Sequence, residues 1–201
     1  MFDSEADRDM ATLATTDLDI EALYVADPDA HPVDRGYTEL DLLAACEQQV
    51  GFLHAMQFRA LARFAAVRPS DKGNLFSEFA PDEVALALGW TRAVAGMRLS
   101  LALTLTDRLP ATLAALERGE VDLRRVQKLA ELTDPLPVAV ARAVEAAVLP
   151  QAARQNTSEL ARAARKAIAR LDPDGAHARH QNRRADRRVV LYPMDDVKGA
   201  S

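Results

Sequence analysis

Apolar residues recur at helical spacing from Leu42 onward, and this pattern predicts a long first helix. Thr38 is a suitable capping residue at its start, and Pro69 is a suitable end point because proline disfavours helical geometry in the residue before it. We expect the apolar stripe to face the protein core. The stripe is formed by Leu42, Leu43, Cys46, Val50, Leu53 and Leu61, with polar Gln57 as a lapse.

Shorter helices are predicted after this one, because turn residues divide the rest of the chain. Gly89 and Gly119 are suited to end helices, Pro110 suits a first turn, and Pro150 is expected to interrupt a helix. Thr91, Asp122 and either Asn156 or Thr157 are expected as N-caps. The predicted helices cover residues 81–88, 91–109, 111–118, 123–132, 138–148 and 157–171.

We therefore predict an all-α, multi-helix domain over residues 38–175 with one short C-terminal β-strand, Val189 to Pro193. Residues 1–37 carry scattered acids and no sustained period, so a disordered leader is expected there. Residues 176–201 form a basic segment that contains the strand. A lone strand cannot satisfy its backbone hydrogen bonds, so the domain is expected to be incomplete at this end.

Charge is distributed unevenly along the chain. The formal net charge is −5, but residues 1–60 hold 13 acids and 3 bases, whereas residues 150–201 hold 11 bases and 6 acids. This asymmetry favours a polyanion partner or an interaction between the two ends. Two separate solvated surfaces would give the same distribution, and composition does not choose between them.

Several classes of protein are disfavoured by the sequence. No apolar run has the roughly 18 residues of a membrane-spanning helix, and residues 1–10 lack the apolar region of a secretory signal. The single cysteine, Cys46, excludes an internal disulfide, and we expect a cytoplasmic protein. No phosphate-binding glycine loop, dinucleotide fingerprint or nucleophile elbow is present, so we predict no cofactor and no catalytic residues.

Residues 82–99 have the pattern of a helix, a tight turn and a second helix. A DNA-binding helix-turn-helix has this layout, and its second helix enters the major groove. The outward polar groups of that helix would be Thr91, Arg92 and Arg98. The alternative is a plain helical hairpin within an all-helical core, since few bases accompany these residues.

Arg162, Arg165 and Lys166 share one face of the predicted helix 157–171, and they could contact phosphates. Arg183 and Arg184 would extend this basic surface toward the C-terminus. A solvated helix face, or a surface that binds the acidic leader, explains the same residues equally well. His177 and His180 have the spacing of a metal-ligand pair, but no further ligand accompanies them, so no metal site is predicted.

Four segments together resemble an actinobacterial family, the "domain of unknown function 222". They are residues 79–91, 109–122, 171–176 and 186–193. The resemblance implies a domain that commonly precedes an HNH endonuclease domain in the same chain. No residue here matches the nuclease metal site, so the chain looks like a truncated member.

These observations lead to two hypotheses. The first is a noncatalytic accessory module of an HNH-endonuclease-associated protein that contacts DNA. The second is a helical protein–protein module, which self-associates or binds a downstream nuclease domain without touching nucleic acid. A metal-dependent nuclease built on His177 and His180 is the least favoured interpretation.

Overall fold

A computed structural model describes the backbone of residues 32–70, 73–173 and 175, and the side chains from Glu39 onward. Within these residues the fold is all-α, with seven helices and no strand. The predicted strand at Val189–Pro193 and residues 1–31 of the predicted leader lie outside the described residues. The helices are α1 Pro32–Ala66, α2 Ala80–Leu88, α3 Arg92–Leu103, α4 Pro110–Glu117, α5 Leu123–Thr133, α6 Val138–Ala152 and α7 Thr157–Leu171.

Local capping explains why most helix boundaries agree with the sequence prediction. Thr91 accepts a hydrogen bond from the Val94 amide at 3.3 Å, and Asp122 accepts one from the Arg125 amide at 2.8 Å. Gly89 adopts a left-handed φ of 65°, which ends α2 without the steric cost that a side chain would carry. Capping depends on a few adjacent residues, so it can be predicted without knowledge of the tertiary structure.

Helix α7 begins with a complete capping box, and Asn156 rather than Thr157 is its N-cap. The Asn156 side chain accepts from the Glu159 amide at 3.0 Å, and the Glu159 carboxylate accepts from the Asn156 amide at 2.9 Å. Two backbone donors that lack partners inside the helix are satisfied in this way.

Three predicted boundaries are wrong. Helix α1 begins at Pro32 instead of Thr38; proline suits the first position because the amide there has no helical partner. The predicted helix 91–109 ends as a π-helical turn over Thr104–Arg108. Helix α6 continues past Pro150 to Ala152, because a proline this close to the end removes only one late backbone hydrogen bond.

The core lies between two groups of helices. The second half of α1 packs against α3 and α4, while α7 packs against α5 and α6, and α4 contacts α5 and α6 to join the groups. Alanines fill many of the buried positions, including Ala55, Ala95 and Ala141, so helix backbones come close together. The result is one continuous hydrophobic core.

Two glycines allow α1 to cross the end of α4. A Cβ atom on Gly51 would lie 2.7 Å from the carbonyl oxygen of Leu116, and one on Gly119 would lie 2.9 Å from the Cα of Gln48. Both distances are below the van der Waals limit, and in each case the obstacle is backbone. The position of α1 therefore depends on the absence of side chains at this crossing.

The predicted core stripe of α1 is correct only at its C-terminal end. Leu61 is buried, but Leu43 is 59% exposed, Val50 44% and Leu53 63%, and Cys46 is also exposed. The residues of α1 that enter the core are Ala55, Phe58, Leu61 and Ala65, all in the second half of the helix.

Candidate nucleic-acid interface

Helices α2 and α3 pack against each other across the turn at Gly89 and Trp90. Val84 and Ala95 are buried between the two helices, whereas Leu88 is 48% exposed. The pair of helices is present, but it contributes to the core of a larger helical domain. Thr91, predicted as an outward polar group, uses its hydroxyl to cap α3.

The structure commits both arginines of α3 to contacts within the fold. Arg92 donates to the Asp82 carboxylate at 2.7 Å and to the Glu78 carbonyl at 3.0 Å. The guanidinium carbon of Arg98 lies 5.6 Å from the ring centroid of Phe58 and 5.7 Å from that of Trp90. Arg98 is half-buried, and it also lines a depression between α3 and α5.

The surface that α3 exposes has little positive charge. A shallow depression beside α2 is lined by Ala93, Gly96, Met97 and Ser100, and Arg92 is its one cation. DNA affinity requires several cations that can neutralise phosphates. This face is consequently a poor candidate for a DNA-reading surface.

Burial around Arg98 also affects His54 on α1. Desolvation lowers the pKa of Arg98, and desolvation together with the nearby Arg98 charge lowers the pKa of His54. Glu47 acts in the opposite direction on His54 but is the weaker influence. His54 is therefore biased toward its neutral form, which agrees with its half-buried position at the edge of the core.

A concavity lined by three cations lies between the end of α6 and the first two-thirds of α7. It is a groove of about 1060 Å³ whose cations are Arg154, Arg162 and Lys166. Arg162 and Lys166 are one helical turn apart and share a face of α7, as predicted. None of the three forms an ion pair with another described residue. Arg154 was not among the residues predicted to contact phosphates.

Two acids also line the groove, and each has a local structural role. Glu120 forms a two-point ion pair with Arg118, at 2.7 and 2.8 Å, and this hydrogen bonding lowers the pKa of Glu120. Glu159 completes the capping box of α7. Because both carboxylates already have partners, the three cations of the groove are the groups available to an outside ligand.

The other predicted phosphate contacts are placed differently. Arg165 is exposed on α7 but does not line the groove, and Arg170 is exposed near the end of the same helix. Arg183 and Arg184 lie outside the described residues. The structure thus brings together Arg154, Arg162 and Lys166 in one groove. Arg92 and Arg98, which were also predicted to contact DNA, do not line this groove.

Two further arginines hold helix ends in place. Arg125 donates to the carbonyls of Ala152 and Gln155, at 2.8 and 3.1 Å, and so supports the segment that borders the groove. Arg108 donates to three carbonyls at the end of α5 and just after it, including that of Leu136 at 2.6 Å. Sequence reasoning missed both roles because the acceptors lie more than 20 residues away along the chain.

Glu145 is a buried carboxylate, 3% exposed, in the Ala/Val-rich helix α6. It accepts hydrogen bonds from the backbone amide of Thr112 at 2.6 Å and from the Thr112 hydroxyl at 2.8 Å. Thr112 is in the first turn of α4, whose N-cap residue provides no side-chain cap. Glu145 therefore serves as a cap supplied by another helix.

No group of three or more His, Cys, Asp or Glu residues in the described part of the chain could hold a metal ion. His177 and His180 lie outside that part. Among the helices that the structure describes, none combines the length and apolar character needed to cross a membrane.

Comparison with known proteins identifies one family. The model of a domain of unknown function, DUF222, matches residues 40–201. No curated protein and no solved structure matches the chain.

Proposed function

We propose that this chain, which belongs to the DUF222 family, is a noncatalytic accessory module of an HNH-endonuclease-associated protein and that it contacts DNA. The observation that carries the proposal is the groove beside α7, where Arg154, Arg162 and Lys166 converge without an ion-pair partner among the described residues. The proposed association with an HNH endonuclease rests on the family resemblance. Arg183 and Arg184 belong to the proposal on their sequence position alone.

The chemistry of the groove favours phosphate over base edges as the ligand. Arginine can donate two parallel hydrogen bonds to a phosphate, and lysine acts as a point charge beside it. The apolar part of the lining comes from residues such as Leu149, Pro150 and Ala163, and no aromatic ring is available for base stacking. Binding of the sugar–phosphate backbone with little sequence preference is the expected mode.

Fluorescence anisotropy with a labelled DNA duplex at several salt concentrations tests the proposal. The test compares the unmodified chain with the variant Arg162→Gln/Lys166→Gln, which lacks two groove cations on the exposed side of α7. We expect weaker binding, and we expect the slope of log K against log salt to become shallower by about 2, since each phosphate contact contributes about 1.

A matched control is Arg63→Gln/Arg124→Gln, which removes the same charge from exposed positions elsewhere. It is expected to leave the salt slope close to that of the unmodified chain. Absence of binding at low salt, or an equal loss in both variants, would exclude the groove as a DNA contact.

A second candidate function is a helical protein–protein module, and the exposed apolar residues of α1 favour it. Leu40, Leu43, Val50 and Leu53 are each at least 44% exposed. Scattered exposed leucines are ordinary, but several on neighbouring turns of one helix are typical of an interaction surface.

A further inference from the structure

Helix α1 carries an apolar surface that the described core does not cover. We define the α1 stripe as Leu43, Cys46, Val50 and Leu53, which follow one another at intervals of three, four and three residues. This spacing places them along one side of the helix. All four side chains are exposed, and Leu43 and Leu53 are 59% and 63% exposed.

Acids of α1 lie beside the stripe, although Arg124 of α5 lines the same depression as Glu47 and Val50. Residues 39–58 contain Glu39, Asp41 and Glu47 and no lysine or arginine. At about 100° per residue, Glu39 lies on the same side of α1 as Val50, and Glu47 lies next to Leu43. A complementary segment would combine apolar side chains with several cations.

We propose that residues 183–192 of this same chain bind the α1 stripe. The segment contains Arg183, Arg184, Arg187 and Arg188, with one acid among them, and continues directly into Val189, Val190, Leu191 and Tyr192. Its arginines would pair with the acids of α1, and its apolar residues would cover the stripe. Like the second candidate function, this inference treats the stripe as a docking surface, and it rests on that function. It differs in that the bound segment belongs to the same chain.

A second copy of α1 fits this surface less well. Two stripes facing each other would bring together Glu39 and Glu47 of both chains, with no lysine or arginine from residues 39–58 of either helix. Like charges beside a helical seam oppose pairing. The basic segment would instead bring arginines close to the acids of α1, so the electrostatic interaction would be attractive.

A short tether connects the segment to the described helices. Residues 176–182 lie between them and span up to about 23 Å when extended, and a tether of this kind gives millimolar effective concentrations.

The single cysteine allows a direct test in the full chain. A nitroxide spin label on Cys46 is expected to broaden the backbone amide signals of residues 183–192 in an NMR spectrum of ¹⁵N-labelled protein. Arg187→Glu/Arg188→Glu should abolish the broadening, because it reverses the charge that faces Glu39 and Glu47. Arg162→Glu/Arg165→Glu makes the same charge change on α7 and should leave the broadening intact.

The alkylation rate of Cys46 in unlabelled protein provides a second measurement that does not depend on the spin label. It should rise severalfold in Arg187→Glu/Arg188→Glu and stay unchanged in the α7 control. Unchanged rates in both variants together with no broadening would overturn the proposal, as would an equal effect of both variants.

Mixing spin-labelled ¹⁴N protein with unlabelled ¹⁵N protein distinguishes binding within one chain from binding between two chains. Broadening that appears in the mixture shows contact between chains; it would overturn docking within the chain and favour self-association instead. All of these measurements are made without DNA, so failure of the groove to bind DNA would leave their outcome unaffected.

Discussion

Glu145 shows how a single buried side chain can stabilise the junction of two helices. Helix α4 begins at Pro110 and has no side-chain cap of its own, so its first-turn amides need acceptors from elsewhere. The Glu145 carboxylate supplies one and also binds the Thr112 hydroxyl. A charge in an Ala/Val-rich helix thus has a structural explanation, and it gives no reason to expect catalysis at this position.

Replacing this carboxylate should destabilise the fold. Glu145→Ala leaves the buried amide and hydroxyl of Thr112 without their acceptor, which costs about 1–3 kcal/mol of unfolding free energy. Urea unfolding followed by circular dichroism measures the change. Glu131→Ala, at an exposed position that pairs with Lys128, is the control and should change stability by no more than about 0.5 kcal/mol. Equal losses in the two variants would contradict the capping role.

At the scale of helices, the crossing of α1 and α4 depends on glycine, and a matched pair of substitutions tests it. Gly51→Ala would place a methyl group 2.7 Å from the Leu116 carbonyl oxygen, whereas the nearest atom to a methyl group at Gly96 is a Pro81 side-chain carbon at 3.9 Å. Both glycines are inside helices, where alanine is intrinsically better by about 0.5–1 kcal/mol.

We therefore expect opposite signs from the two substitutions. Gly96→Ala should stabilise the protein by up to about 1 kcal/mol, and Gly51→Ala should destabilise it by about 1–3 kcal/mol because backbone atoms must shift. Thermal and urea unfolding midpoints measure both. Stabilisation by Gly51→Ala would show that α1 does not approach α4 as closely as described.

At the scale of the whole molecule, the charge gradient should influence any encounter with DNA. Residues 1–31 hold nine acids and one base, so removing them changes the formal net charge from −5 to +3. We expect the shortened chain to bind duplex DNA more tightly at low salt, with the difference shrinking as salt screens the charges. Anisotropy titrations of both chains measure the effect.

Equal affinity of the two chains at low salt would show that the acidic residues do not oppose binding. Light scattering on the same samples adds independent information. A mass that departs from that of a monomer in one chain only would support the second candidate function, because residues 1–31 would then control association.

The sequence by itself determined the helical class and most helix ends, since caps such as Thr91, Asp122 and Asn156 act on neighbouring residues. It also determined which part of α7 is basic. It did not determine how far along α1 the core extends, because Leu43 and Leu61 lie on the same side of the helix yet only Leu61 is buried. Only tertiary structure decided that the second half of α1 enters the core while Leu43, Val50 and Leu53 stay exposed.

The candidate site divides in the same way. Arg162 and Lys166 could be assigned to one surface from their spacing, because they belong to one helix. The contacts of Arg92 and Arg98 could not be predicted from spacing. Their partners, Asp82, Phe58 and Trp90, come from other helices or from the turn before α3. The third groove cation, Arg154, joins the site because the chain turns between α6 and α7. Local spacing fixes what one helix presents, and packing between helices decides which charges remain available.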